Sequence, residues 1–214
     1  LSWKAVLFDF DGTLAATMEF NFLCWRDTFR EFGYELDKHR YFLQEGKGTK
    51  NIAELFLAEV EDRHVTWRDV QKRKNELFLA GYELHVYPEI KQILSFLSRL
   101  KVPSVIVTGS DRQRLLGILD DAFKQRFAGI VCADDTTRHK PYADPYLRGA
   151  EMAGIPPHEC LVVENAPAGV SAGKAAGAFT VALETTLSAA DLAEADRIFS
   201  SHRDFFAWLR GAYE

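Results

Sequence analysis

The chain has 214 residues, which suits one large domain or one domain carrying an insert and allows a sizeable core. Apolar residues make up 47% and charged residues 27%, an ordinary globular mix. A net charge of −5 with no long Lys/Arg run argues against nucleic-acid and membrane-surface partners.

Residues 5–10, AVLFDF, open the chain as a continuous apolar run. Similar runs follow at 103–108 (PSVIVT), 128–133 (AGIVCA), 160–164 (CLVVE) and 179–183 (FTVAL). They do not alternate apolar with polar, so they fit strands buried on both faces of a parallel sheet. Between the later runs, Ile90, Ile93, Leu94, Leu97 and Leu100, and then Leu115, Leu116 and Leu119, recur at helical spacing. Asp144-Pro145 reads as an N-cap followed by proline at the first helical position. Strands alternating with helices predict an α/β fold with a doubly wound parallel sheet.

The segment after the first run has a different character. Met18, Phe22, Trp25, Phe29 and Phe32 form one apolar helical stripe, and Ile52, Leu55, Phe56 and Val60 a second. Thr66 with Asp69 three residues on opens a third helix through Val70, Leu77 and Leu84. Such a segment is too long for a crossover loop. Residues 16–85 are therefore expected to form an inserted all-helical cap, and 1–15 with 86–214 the core. Hinges are expected at 15–17 and 85–88.

No stretch reaches the roughly 18 apolar residues of a membrane helix, and no signal peptide is evident. Cys24, Cys132 and Cys160 are widely spaced and odd in number, as expected of buried free thiols in a reducing compartment. The expectation is a cytoplasmic monomer with no membrane or nucleic-acid partner.

The chemistry gathers where strands end. Asp9 and Asp11 close the first run, and Gly12 allows a sharp turn. An isolated D-x-D-G also reads as a plain β-turn, but paired carboxylates repel unless a cation lies beside them, and Mg²⁺ is the natural one. The second run ends on Thr108, Gly109 and Ser110, which offer hydroxyls and close backbone approach. The third leads to Lys140 before a proline, and the fourth ends on Glu164 and Asn165. In an open α/β sheet these ends share one crevice. It would hold a metal, an anion and a nucleophile.

These stretches, DFDGT, VTGS, KPYADPY and VVENAPAGVSAGKAAGA, resemble the haloacid dehalogenase superfamily of phosphotransferases over nearly the whole chain. The insert resembles the helical cap of its phosphoglucomutase-like branch. The resemblance implies a Rossmann-like core and a Mg²⁺-dependent phosphatase acting on a small phosphorylated metabolite or pyrophosphate. It implies that Asp9 is the nucleophile and forms an aspartyl phosphate. Asp11 is then general acid and later base, protonated at the start. Thr108 and Lys140 bind the phosphoryl group, while Thr13 and Ser110 position their loops. Mg²⁺ is held by Asp9, the Asp11 carbonyl and Asn165, with Glu164 nearby or coordinating. Many relatives carry Asp where this chain has Asn165, so weaker Mg²⁺ binding is expected here.

The stretch 43–55, LQEGKGTKNIAEL, resembles the cap loop that closes over the site in such proteins. Glu45, Lys47 and Lys50 are candidate substrate contacts beside Gly109 and Ser110, against a solvated loop as the plain alternative. Arg112 and Arg114 read as a solvated helix face, and Trp25 as cap core. Two other functions remain open: a β-phosphoglucomutase-like hexose-phosphate mutase, and a catalytically dead binding or regulatory module.

Overall fold

The computed structural model describes residues 2–60 and 64–213. All five apolar runs are strands: β1 (Ala5–Phe8), β2 (Ser104–Val107), β3 (Gly129–Val131), β4 (Cys160–Glu164) and β5 (Phe179–Leu183). A further strand, β6 (Arg197–Phe199), adds an edge that the sequence reading did not foresee. The sheet runs β3-β2-β1-β4-β5-β6 with every pairing parallel. The strand order reverses at β1 and β4, the topological switch point where open α/β sheets bind ligands.

Both sheet faces are covered, which explains the uninterrupted apolar runs. Val6 and Phe8 of β1 face a cluster that includes Ile93 and Leu97 of α5 (Ile90–Arg99) and Phe205 and Leu209 of α10 (His202–Gly211). Leu7 faces the opposite cluster with Val105, Val107 and Val162, where α8 (Asp144–Ala153) contributes Tyr146 and Ala150 and α9 (Pro167–Ala175) contributes Ala172. The start of α8 differs by one residue from expectation. Ala143 is its N-cap, and the Asp144 carboxylate instead accepts from Arg138 Nε at 3.0 Å.

Among the described residues four helices lie between β1 and α5: α1 (Met18–Glu31), α2 (Lys38–Phe42), α3 (Thr49–Leu57) and α4 (Trp67–Gly81). Thr66 and Asp69 form a reciprocal capping box at α4, as their spacing predicts. The apolar stripes meet in an aromatic core in which Trp25 stacks on Phe29 at 6.0 Å and Phe29 meets Phe56 edge-on at 5.9 Å. At the hinges, Ala15 bridges Val86, Ala16 N–H donates to His85 and Tyr87 N–H donates to Leu14. We take residues 16–85 as the cap on this basis.

The cap is seated on the core. Gln71 and Asn75 of α4 donate to the Asp111 carboxylate at 3.3 and 3.0 Å. Asp111 is also the N-cap of α6 (Arg112–Ile118), accepting from Arg114 N–H. Cys24, Cys132 and Cys160 are buried and free. Among the described residues no helix is long and apolar enough to cross a membrane.

Candidate active site

Asp9 leaves the end of β1 at 4% exposure. Its Oδ1 accepts from Lys140 Nζ at 2.7 Å. That ammonium also donates to Glu164 Oε1 at 2.6 Å and to the Val107 carbonyl at 3.0 Å, tying together the ends of β1, β2 and β4. Burial works against the Lys140 charge, but Asp9 and Glu164 outweigh it and hold the ammonium above its usual pKa. Burial lifts the Asp9 carboxyl, and Lys140 offsets this only in part. Among the described residues the N–H groups of Phe10, Asp11 and Gly109 find no acceptor. Unpaired donors of this kind, two of them on the buried Phe10 and Asp11, call for an anion. Thr108 stands beside them, its Oγ1 accepting from Ser110 N–H at 3.1 Å.

Asp11 is held quite differently. Arg114 forks onto it, Nη2 to Oδ1 at 2.5 Å and Nη1 to Oδ2 at 2.9 Å. Thr17 donates to Oδ1 at 2.5 Å and Ser110 to Oδ2 at 2.8 Å. Burial opposes the charge, but Arg114 and these hydroxyls hold Asp11 well below the usual carboxylate range. The Arg114 fork favours the charged form of Asp11. One expectation is corrected. Arg114 is not solvated but 1% exposed, its guanidinium 4.2 Å from the Phe78 ring centroid. Arg112 does lie at the surface, paired with Asp135 at 2.5 Å.

The oxygens available to a cation are mixed in kind. Among the described residues no group of three or more His, Cys, Asp or Glu forms a metal cluster. Glu164 is fully engaged: Lys140 and Tyr146 donate to Oε1, and the N–H groups of Asn165 and Ala166 donate to Oε2. It therefore lies nearby without an open lone pair. Among the described residues Asp9 Oδ2 and the Asp11 carbonyl accept nothing, and Asn165 Oδ1 receives only a long 3.4 Å contact from Thr13. Three hard oxygens are the kind of donor that suits Mg²⁺.

The cap closes this crevice. The remaining cavity offers about 20 Å³ to the centres of water molecules, little more than one water. Glu45 lines it, accepting from Asn21 Nδ2 at 3.2 Å. Burial, and then the Asp11 charge, push the Glu45 carboxyl up to about 7. Lys47 and Lys50 do not line the cavity. Lys47 donates to Gln44 at 2.7 Å, and Lys50, on the exposed side of the first turn of α3, lies 3.9 Å from Glu54.

The cation that does enter is Lys74 of α4. It is 2% exposed, has no hydrogen-bond or ion-pair partner among the described residues, and lies 5.6 Å from the Trp25 ring centroid. Burial, and then Arg114, push its ammonium down to about 8. Trp25 is thus cavity wall as well as cap core. The sequence held a signal for Lys74. Val70, Lys74 and Phe78 are spaced by four, which puts a lysine on the buried stripe of α4. Asn21, between Met18 and Trp25, breaks the stripe of α1 in the same way, and its Oδ1 is buried without a partner.

The profile of haloacid dehalogenase-like hydrolases matches residues 6–183. Hexitol phosphatase A of Escherichia coli is 29% identical across 92% of this chain and 91% of that protein. Beta-phosphoglucomutase of Bacillus subtilis is 28% identical across 83% of this chain and 82% of its own. Among solved structures, beta-phosphoglucomutase from Clostridium difficile superposes with a TM-score of 0.82 at 20% identity, over 99% of this chain and 97% of that one.

Proposed function

Because the chain belongs to the haloacid dehalogenase-like hydrolases and is an enzyme of their phosphatase type, we propose that it hydrolyses a small polyhydroxylated phosphate monoester, with Mg²⁺, through an aspartyl phosphate on Asp9. The observation that carries this is the pairing of a nucleophile with an anion cradle. Asp9 stands 2.7 Å from Lys140, its second oxygen is free, and the N–H groups of Phe10, Asp11 and Gly109 await an acceptor.

In this proposal the phosphoryl oxygens rest on those N–H groups, Thr108 and Lys140. Asp9, the Asp11 carbonyl and Asn165 hold Mg²⁺. When bound, the metal adds the positive charge that lets one anion approach another. The Asp9–phosphorus bond forms as the bond to the leaving oxygen breaks, and that oxygen takes a proton from Asp11. Water then attacks phosphorus, gives its proton to Asp11, and the Asp9–phosphorus bond breaks. The Arg114 fork on Asp11, which favours its charged form, suits this second half. The first half requires Arg114 to be drawn off Asp11, and a leaving group lying between Arg114 and Lys74 is placed to do that.

The pocket for that leaving group mixes donors and acceptors: Lys74, Thr49, Ser110, Asn21 and Glu45. Such a lining fits hydroxyl groups better than a bare anion. It favours a sugar or polyol phosphate over pyrophosphate, for which Glu45 and Asp11 present like charge. Comparing Glu45→Ala with the parent on both substrates checks this choice, since equal losses remove it. A mutase is the second reading, favoured by the near exclusion of water from the closed cavity. A panel of phosphoesters with coupled assays separates the two. Released phosphate supports hydrolysis, and isomerised sugar without phosphate supports the mutase. Asp9→Asn should lower turnover by about 10³-fold or more with an unchanged thermal melt. An active variant removes the covalent route.

A further inference from the structure

Position 165 raises a problem that an aspartate would not. A carboxylate offers an oxygen to a cation in either of its orientations. An amide does so in only one, and the other turns its NH₂ toward the positive charge. Asn165 is 1% exposed, so the NH₂ also needs an acceptor whenever Oδ1 faces the crevice.

That acceptor is Thr186, just past the end of β5. Asn165 Nδ2 donates to Thr186 Oγ1 at 3.2 Å. The amide nitrogen lies against Gly12, where a Cβ would sit 2.1 Å from it, so no other side chain fits between. The neighbouring Thr185 donates to the Gly12 carbonyl at 2.6 Å. Two consecutive threonines thus hold the two loops that meet here, Thr185 the one after β1 through the Gly12 backbone and Thr186 the one after β4 through the Asn165 amide. Neither lines the cavity, so Thr186 has no direct route to substrate.

We infer that Thr186 is a positioning residue for Mg²⁺, fixing the Asn165 amide with its oxygen toward the ion. The inference rests on the metal reading above and extends it to a residue that touches neither the metal nor the substrate. Partners of this outer kind are commonly worth 10- to 100-fold in metal affinity.

Titration calorimetry with Mg²⁺ alone, on the full chain without substrate, tests it. Thr186→Val should weaken Mg²⁺ binding about tenfold or more, and Thr186→Ser, which keeps the acceptor, should restore it. In an Asn165→Ala background Thr186→Val should make no further difference, because the amide it acts through is gone. Parent-like affinity in Thr186→Val, failure of Thr186→Ser to restore it, or an equal loss in the Asn165→Ala background each overturns the inference. Thr186→Ala serves the same comparison if the valine variant does not fold. Absence of Mg²⁺ binding by the parent protein overturns the metal reading itself, and this inference with it.

Discussion

Lys74 is an ammonium taken out of water with no carboxylate paired directly to it among the described residues, and Asp111, Asp11 and Glu45 offset its burial only in part, which makes it costly to the fold. Lys74→Met keeps the length of the side chain and removes the charge. It should raise stability at pH 7 by about 1–3 kcal/mol in urea denaturation and lower kcat/KM on the native substrate, a trade of stability against activity. Glu45 carries the matching acid effect. Its folded pKa, raised from 4.5 to about 7, means that the native state binds the proton more tightly than the unfolded chain. Its contribution is present in full below pH 4.5 and is lost as pH rises through about 7, a fall of up to about 3 kcal/mol. Lys74 acts at the other end, adding stability as pH rises from about 8 to 10.5. Melts across this range should therefore dip between about 7 and 8, and Glu45→Gln should flatten the acid side of the dip. At this scale the strand-end residues were legible because the motifs are local. Arg114 was not, since its partner Asp11 lies 103 positions away and nothing in the pattern around it marks burial.

Among the elements, the loop before α3 does the closing. The Gly46 carbonyl lies 2.7 Å from where a Cβ on Gly109 would be, so backbone meets backbone where cap touches core. Gly109→Ala should push this loop away. The expected result is a kcat/KM lower by about 10- to 100-fold, a larger radius of gyration by solution scattering and a nearly unchanged melt. Five strands and the helices α1, α3, α4 and α5 were readable because burial on both sheet faces, or on one stripe, leaves a periodic mark, whereas α9 and α10 went unread. β6 was not, because three residues at an edge, Arg197, Ile198 and Phe199, carry no period. α2 escaped for the same reason, with five residues led by Lys38 and His39. The loop before α3 meets the core at Gly109, but which of its side chains turn inward depends on α4, which arrives from elsewhere in the chain. Hence Glu45 faces the cavity while Lys47 and Lys50 do not.

For the molecule as a whole, the strand order puts Asp9 and Glu164-Asn165 on adjacent strands, with Thr108 on the other side of β1. The alternation of strands and helices implied such a crevice, but not that the cap would be found shut over it. Closure is set by contacts such as Asn75 with Asp111 that join distant segments, and no local pattern reports them. The closed crevice has a kinetic consequence. In the proposed reaction, phosphate would leave a crevice with about 20 Å³ open to water only once the cap lifts. Where that lift limits turnover, frictional drag enters the rate. Adding sucrose should slow kcat in proportion to relative viscosity for the fastest substrate and leave a sluggish one, limited by bond-breaking, nearly untouched.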